Sequence, residues 1–244
     1  FRIGNLMALT GAAALLGYAG RGRLAVAAAI LMLLTPRVFF VLDMGWAEPV
    51  VLVCLAAVGF CACRAPRWLG IAVGLLIASK QHMPLVAPAT ILLLPQPWTW
   101  KALWQLAIVA AVTWAVVSLP LMLWDFAAFW RSAVAIQLAD PFRADSLNYA
   151  AWWVHRGGGV PPQWLAFVLA VAAVAITVWR APRSPAGFAG AVAVIYLCFF
   201  ALAKQAFCNY YFMALGALCC AAAVAGIDRG NGIIADSSGR HAAN

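Results

Sequence analysis

Lys80-Gln81-His82 and Lys204-Gln205 carry the most chemistry in this chain. Each sets a cation beside an amide at the end of an apolar run. A lysine near hydrocarbon costs about 2.5–3.5 kcal/mol on insertion scales, so it faces a polar cavity, finds a partner or snorkels to the interface. Arg131 and Arg143 add two more cations, and Asp43 and Glu48 add carboxylates. Together they can build a site for an anionic headgroup. Lys80, Gln81, Arg131, Arg143, Lys204 and Gln205 would hold a phosphate, and Asp43 or Glu48 would act as the base. Trp46, His82, Asp145, Asn209 and Tyr210 lie beside them as candidate substrate contacts. Plainer roles stand next to these. Asp43 and Glu48 can be surface carboxylates, Trp46 an interfacial anchor, and Asp145 or Ser146 a helix cap. His82 and His155 have no third ligand at metal spacing, so neither a metal nor a cofactor is called for.

The elements that position these groups are membrane helices. Hydrophobic residues make up 66% of the 244, charged residues 9%, and the mean hydropathy is +0.95. That composition excludes an ordinary soluble domain and predicts an all-α, polytopic integral membrane protein. The net charge of +9 comes from short loops such as Arg21-Gly22-Arg23, Arg64-Ala65-Pro66-Arg67 and Arg180-Ala181-Pro182-Arg183. No basic run is interleaved with aromatics, so nucleic acid is a poor partner; basic loops on the cytoplasmic side explain the charge. The seven cysteines sit mostly inside apolar segments, and Cys61-Ala62-Cys63 lacks zinc or redox spacing, which makes them packing residues.

Nine apolar stretches, seven runs at 3–19, 24–35, 50–63, 102–123, 162–179, 187–203 and 210–226 and the two short arms of a hairpin at 68–80 and 84–95 around Lys80, are read as about eight membrane segments. Gly70 and Gly74 give the first arm a small face that a neighbouring helix can approach. Residues 37–49 mix charge with aromatics and either lie along the surface or re-enter. The loop 124–161 is predicted to be structured, with a short helix through Trp152 and Trp153 capped by Asp145 or Ser146 and stopped at Gly157. On this topology every candidate site residue falls on one face, the outer one. Residues 1–227 form one membrane domain, and the polar tail 228–244 is predicted to be disordered. The chain begins at Phe1 rather than Met, which reads as a fragment or a trimmed product.

Met44-Gly45-Trp46-Ala47-Glu48-Pro49 ahead of a span, the Gly70/Gly74 helix ending in Lys80-Gln81 with Pro84 after it, Pro141-Phe142-Arg143-Ala144-Asp145-Ser146, and Lys204 through Tyr211 occur in an order that resembles the C-terminal part of GT-C superfamily glycosyltransferases. The likeness is to those of the family 87 type, which use polyprenyl-phosphate sugars, and it covers most of residues 36–215. The resemblance implies a bacterial inner-membrane enzyme with its active face outside the cytoplasm. It would move a hexose such as mannose, or a pentose, from a polyprenyl-phosphate donor to a lipid, glycan or protein acceptor, without a metal. It also implies a general base on an outer loop ahead of the residues present here, leaving the donor half of the site in this chain. The alternatives from other classes are a secondary transporter, which normally shows two related halves not evident here, and a non-catalytic membrane subunit.

Overall fold

The computed structural model describes residues 1–20 and 22–241, with side chains through Ala225. The chain is all-α: α1 (Arg2–Gly20), α2 (Arg23–Leu34), α3 (Arg37–Met44), α4 (Glu48–Arg64), α5 (Leu69–Ala78), a 3-10 helix (Met83–Leu93), α6 (Trp100–Trp124), α7 (Phe126–Trp130), a π turn (Arg131–Ala135), α8 (Ile136–Ala139), α9 (Tyr149–His155), α10 (Trp164–Arg180), α11 (Pro185–Leu202) and α12 (Cys208–His241). The tail from Asp228, predicted to be disordered, lies outside the described side chains.

Among the described residues, four helices are long and apolar enough to cross a membrane: α1, α6, α11 and the Cys208–Ala225 part of α12. A fifth span is possible where α2 and α3 join at a 54° bend, at Thr35-Pro36, where proline removes a helical hydrogen bond. The chain is thus a multi-spanning membrane protein. The larger predicted count of about eight includes α4 and α10, 17 residues each, and the two arms of the Lys80 hairpin. Those arms are α5, 10 residues, and the 3-10 helix, 11 residues with Pro88 inside it. At ~1.5 Å per α residue and ~2.0 Å per 3-10 residue, neither arm reaches the ~30 Å of a hydrocarbon core. The turn at Ser79–His82 therefore ends short of a full crossing.

Packing follows the small residues. α1 lies on α4, α10 on α11, α11 on α12, and the 3-10 helix wedges against α10 and α11. Leu9, Leu16, Leu52, Leu55, Phe188, Tyr196, Phe200 and Phe212 fill the centre. The outer side of α6 presents Trp104, Ile108, Val112, Val116 and Leu121 without protein cover, an apolar face suited to lipid.

The neighbour that the Gly70/Gly74 face admits is α6. A Cβ on Gly74 would sit 2.5 Å from the Ala110 carbonyl oxygen and 2.5 Å from Thr113 Cβ, and one on Gly70 would sit 2.7 Å from Val109 Cγ1. Because a backbone oxygen cannot swing aside, Gly74→Leu must part the two helices. A loss of about 1–3 kcal/mol or more is expected, read as a lowered melting temperature in detergent. Gly4→Leu is the control, since a Cβ there meets nothing within 4 Å.

Candidate functional site

Three distant segments meet at a buried polar knot. Glu48 opens α4, where a carboxylate suits the positive end of the helix dipole, and it is 1% exposed. Its Oε1 accepts from Lys80 Nζ, in the hairpin turn, and from Asn209 Nδ2, in the first turn of α12, at 2.7 Å. Lys80 is 15% exposed, and its ammonium lies 5.1 Å from the centre of the Tyr210 ring. Glu48 Oε2 and Asn209 Oδ1 are buried without a protein partner. Lys80 is thus neutralised by a carboxylate, which answers the cost of its position.

Tyr210 also lines a cavity of about 440 Å³. Gln81, His82, Pro84 and Leu85 reach it from the hairpin; Ala133, Val134, Gln137 and Leu138 from the π turn and α8; and Gln163, Ala166 and Phe167 from the start of α10. Phe199, Ala203, Lys204, Gln205 and Tyr210 come from the end of α11 and the start of α12. No carboxylate is among these lining residues, and Lys204 is the one lysine or arginine there. Four amides line the same space, and His82 Nε2 is buried without a hydrogen-bond partner. The His82 ring is held by Tyr196 at 5.1 Å and Phe200 at 6.0 Å, while Tyr196 OH donates to the His82 carbonyl at 2.8 Å. Such a wall offers hydrogen-bond donors and one cation beside aromatic and aliphatic surface, a lining suited to an amphipathic anion.

The loop between α6 and α10 fixes Lys204. Arg143 N donates to the Lys204 carbonyl at 2.8 Å, Leu147 N to the Ala206 carbonyl at 2.8 Å, and Ala206 N to Ser146 Oγ at 3.3 Å. Lys204 Nζ donates to the Asp140 carbonyl at 2.7 Å, leaving two of its N–H groups for a ligand. The loop is structured as predicted, but its helix cap is neither Asp145 nor Ser146. Asn148 caps α9, accepting from Ala151 N at 2.8 Å and donating to the Ala203 carbonyl at 2.6 Å. Asn148 stands directly ahead of Tyr149, the first residue of α9, while Ser146 Oγ accepts from Ala206 N and Asp145 is paired with Arg143.

The predicted site residues therefore fall into groups. Gln81, His82, Lys204, Gln205 and Tyr210 line the cavity. Glu48, Lys80 and Asn209 form the buried knot and are not among the cavity's lining residues. Arg143 and Asp145 make an exposed two-bond pair at 2.9 and 2.7 Å, whose hydrogen bonds hold the Asp145 carboxyl below the usual carboxylate range. Arg131 is exposed and does not line the cavity. Asp43 is 67% exposed and pairs with Arg2 at 3.0 Å. Trp46 is half-buried against Phe40, and its carbonyl accepts from Asn5 Nδ2 at 2.7 Å. Gln137 and Gln163 line the cavity in addition to the residues expected from sequence. Their signal was an amide at the edge of an apolar run, Gln163 directly after Pro161-Pro162.

With this geometry in hand, comparison with family models, curated proteins and solved structures finds no match.

Proposed function

We propose that this chain is a membrane glycosyltransferase of GT-C type that takes a sugar from a polyprenyl-phosphate donor at the outer leaflet and passes it to a lipid, glycan or protein acceptor. The charge of the 440 Å³ cavity carries this reading: Lys204, four amides and the unpartnered His82 line it without a carboxylate, beside apolar Leu85, Leu138, Phe167 and Phe199. A phosphodiester joined to a sugar and a hydrocarbon chain has the matching chemistry. The order of motifs that resembles family 87 enzymes points the same way.

In the transfer, the acceptor oxygen bonds to the anomeric carbon as the bond from that carbon to the phosphate oxygen breaks. The leaving polyprenyl phosphate gains one negative charge, and the acceptor proton goes to a base. A fixed cation beside the leaving oxygen stabilises that gained charge more than it stabilises the bound donor, which is the condition for lowering the barrier. Lys204 takes this role, with Gln81, Gln205 and His82 orienting the donor. Neither carboxylate considered as a base, Asp43 or Glu48, lines the cavity, so the residues assigned here belong to the donor side.

We place the chain in a bacterial inner membrane, with the arginine-rich loops cytoplasmic and the cavity opening on the outer side. In this arrangement α4, α10 and the two hairpin arms join the longer helices to give about eight membrane segments. The test is sugar transfer by the full chain in lipid vesicles, supplied with radiolabelled polyprenyl-phosphate-mannose or a pentose donor and an acceptor lipid extract. Label moving from donor to acceptor is expected; a donor left intact with every acceptor contradicts the reading.

A further inference from the structure

A second cavity, of about 550 Å³, lies at the opposite, arginine-rich helix ends, between the Arg64–Trp68 turn, the end of the 3-10 helix, the start of α6 and the start of α11. Arg67 and Arg183, from two separate basic loops, stand on its rim and are exposed. The ion pairs among the described residues are Arg2–Asp43, Lys80–Glu48 and Arg143–Asp145, so neither rim arginine has a carboxylate partner there. The five acids within the described side chains, Asp43, Glu48, Asp125, Asp140 and Asp145, all lie toward the other helix ends. Gln105 adds an amide, and Ser184, whose oxygen accepts from Gly187 N at 3.1 Å, keeps its own O–H to donate. Below these groups the wall turns apolar, through Leu93, Leu106 and Val109.

We infer that this cavity binds the phosphate-bearing headgroup of an anionic phospholipid, with Arg67 and Arg183 on the phosphate and an acyl chain running down the Leu106–Val109 side of α6. Guanidinium is the side chain best matched to phosphate oxygens. Two features choose a lipid over free phosphate. The floor is apolar and would be left unfilled by a small ion. The helix ends around it also carry exposed Trp68, Trp100, Trp104 and Trp179, indoles of the kind that sit at headgroup level. The site is separate from the sugar-donor cavity, and nothing in it depends on the transfer reaction.

The test uses the full chain in phosphatidylcholine nanodiscs doped with phosphatidylglycerol, with the lipid retained on the folded protein counted by native mass spectrometry. Wild type is expected to retain phosphatidylglycerol in preference to phosphatidylcholine, and R67Q/R183Q to lose that preference by about tenfold or more. R180Q is the control: Arg180 belongs to the same basic loop but stacks on Trp179 at 4.1 Å and does not line the cavity. It should retain phosphatidylglycerol as wild type does. Gln105→Glu, which adds a carboxylate at an exposed rim position and leaves both arginines in place, should expel the lipid as the double variant does. Retention by R67Q/R183Q or Gln105→Glu at the wild-type level overturns the site. An equal loss in R180Q reduces it to general surface charge, and displacement by inorganic phosphate at the same concentration reassigns it to a free anion; either overturns the lipid assignment.

Discussion

Glu48→Ala is expected to destabilise the protein by about 3–5 kcal/mol, the range for removing one partner of a buried ion pair. Glu48 is 1% exposed, and its Oε1 accepts from both Lys80 and Asn209. Without it, Lys80, at 15% exposure, loses its carboxylate partner and keeps only the Tyr210 ring, 5.1 Å away, among the contacts described for its ammonium, and Asn209 loses the acceptor for its Nδ2. Three segments separate at once: the start of α4, the hairpin turn and the start of α12. Because the loss comes from a stranded charge rather than from lost packing, E48M/K80M should recover most of it, since apolar residues of similar volume often match or exceed a buried pair. Melting in detergent of wild type, E48M, K80M and E48M/K80M checks this as a double-mutant cycle. A Glu48→Ala protein within ~1 kcal/mol of wild type contradicts the buried pairing, because that is the worth of an exposed ion pair.

Lys204→Met is the second large effect, and it falls on activity. Lys204 is the one lysine or arginine among the residues lining the 440 Å³ cavity, and its Nζ is already oriented by the Asp140 carbonyl at 2.7 Å. Removing a preorganised group of this kind costs about 10²-fold in rate. Stability should change little, because the methionine keeps the length of the side chain and the loop stays pinned through the backbone bonds of Arg143 and Leu147. Sugar transfer lowered about 10²-fold at an unchanged melting temperature is the expected pattern. The same loss in E48M/K80M, where no charge is stranded, would assign the phosphate to Lys80 instead.

The sequence made some of this legible through cost. A lysine in an apolar run needs an answer, so Lys80 and Lys204 stood out, and the Gly70/Gly74 spacing announced a close helix that the structure identifies as α6. Periodicity located α1, α6 and α11 and the hairpin, because composition and proline breaks are local signals. The partner that answers Lys80 was not legible. Glu48 and Asn209 are 161 residues apart, and nothing local distinguishes a carboxylate that opens a helix into water from one that opens it into the core. The two lysines look alike in sequence, each followed by glutamine, yet one is neutralised by a carboxylate and the other faces a cavity. Asn148 as the α9 cap is not legible for a related reason: it also donates to the Ala203 carbonyl, a bond made across a tertiary contact. Gln137 and Gln163 stayed hidden because an isolated amide at a helix edge usually meets solvent.

The most direct measurement is the affinity of the purified full chain, in detergent, for radiolabelled polyprenyl-phosphate-mannose, set against the same molecule with its phosphate replaced by a neutral linker. Saturable binding that favours the phosphate form in wild type, and loses that preference in Lys204→Met, is the predicted result. Equal affinity for the two forms, or a preference that survives in Lys204→Met, would contradict the assignment of this cavity to the donor phosphate.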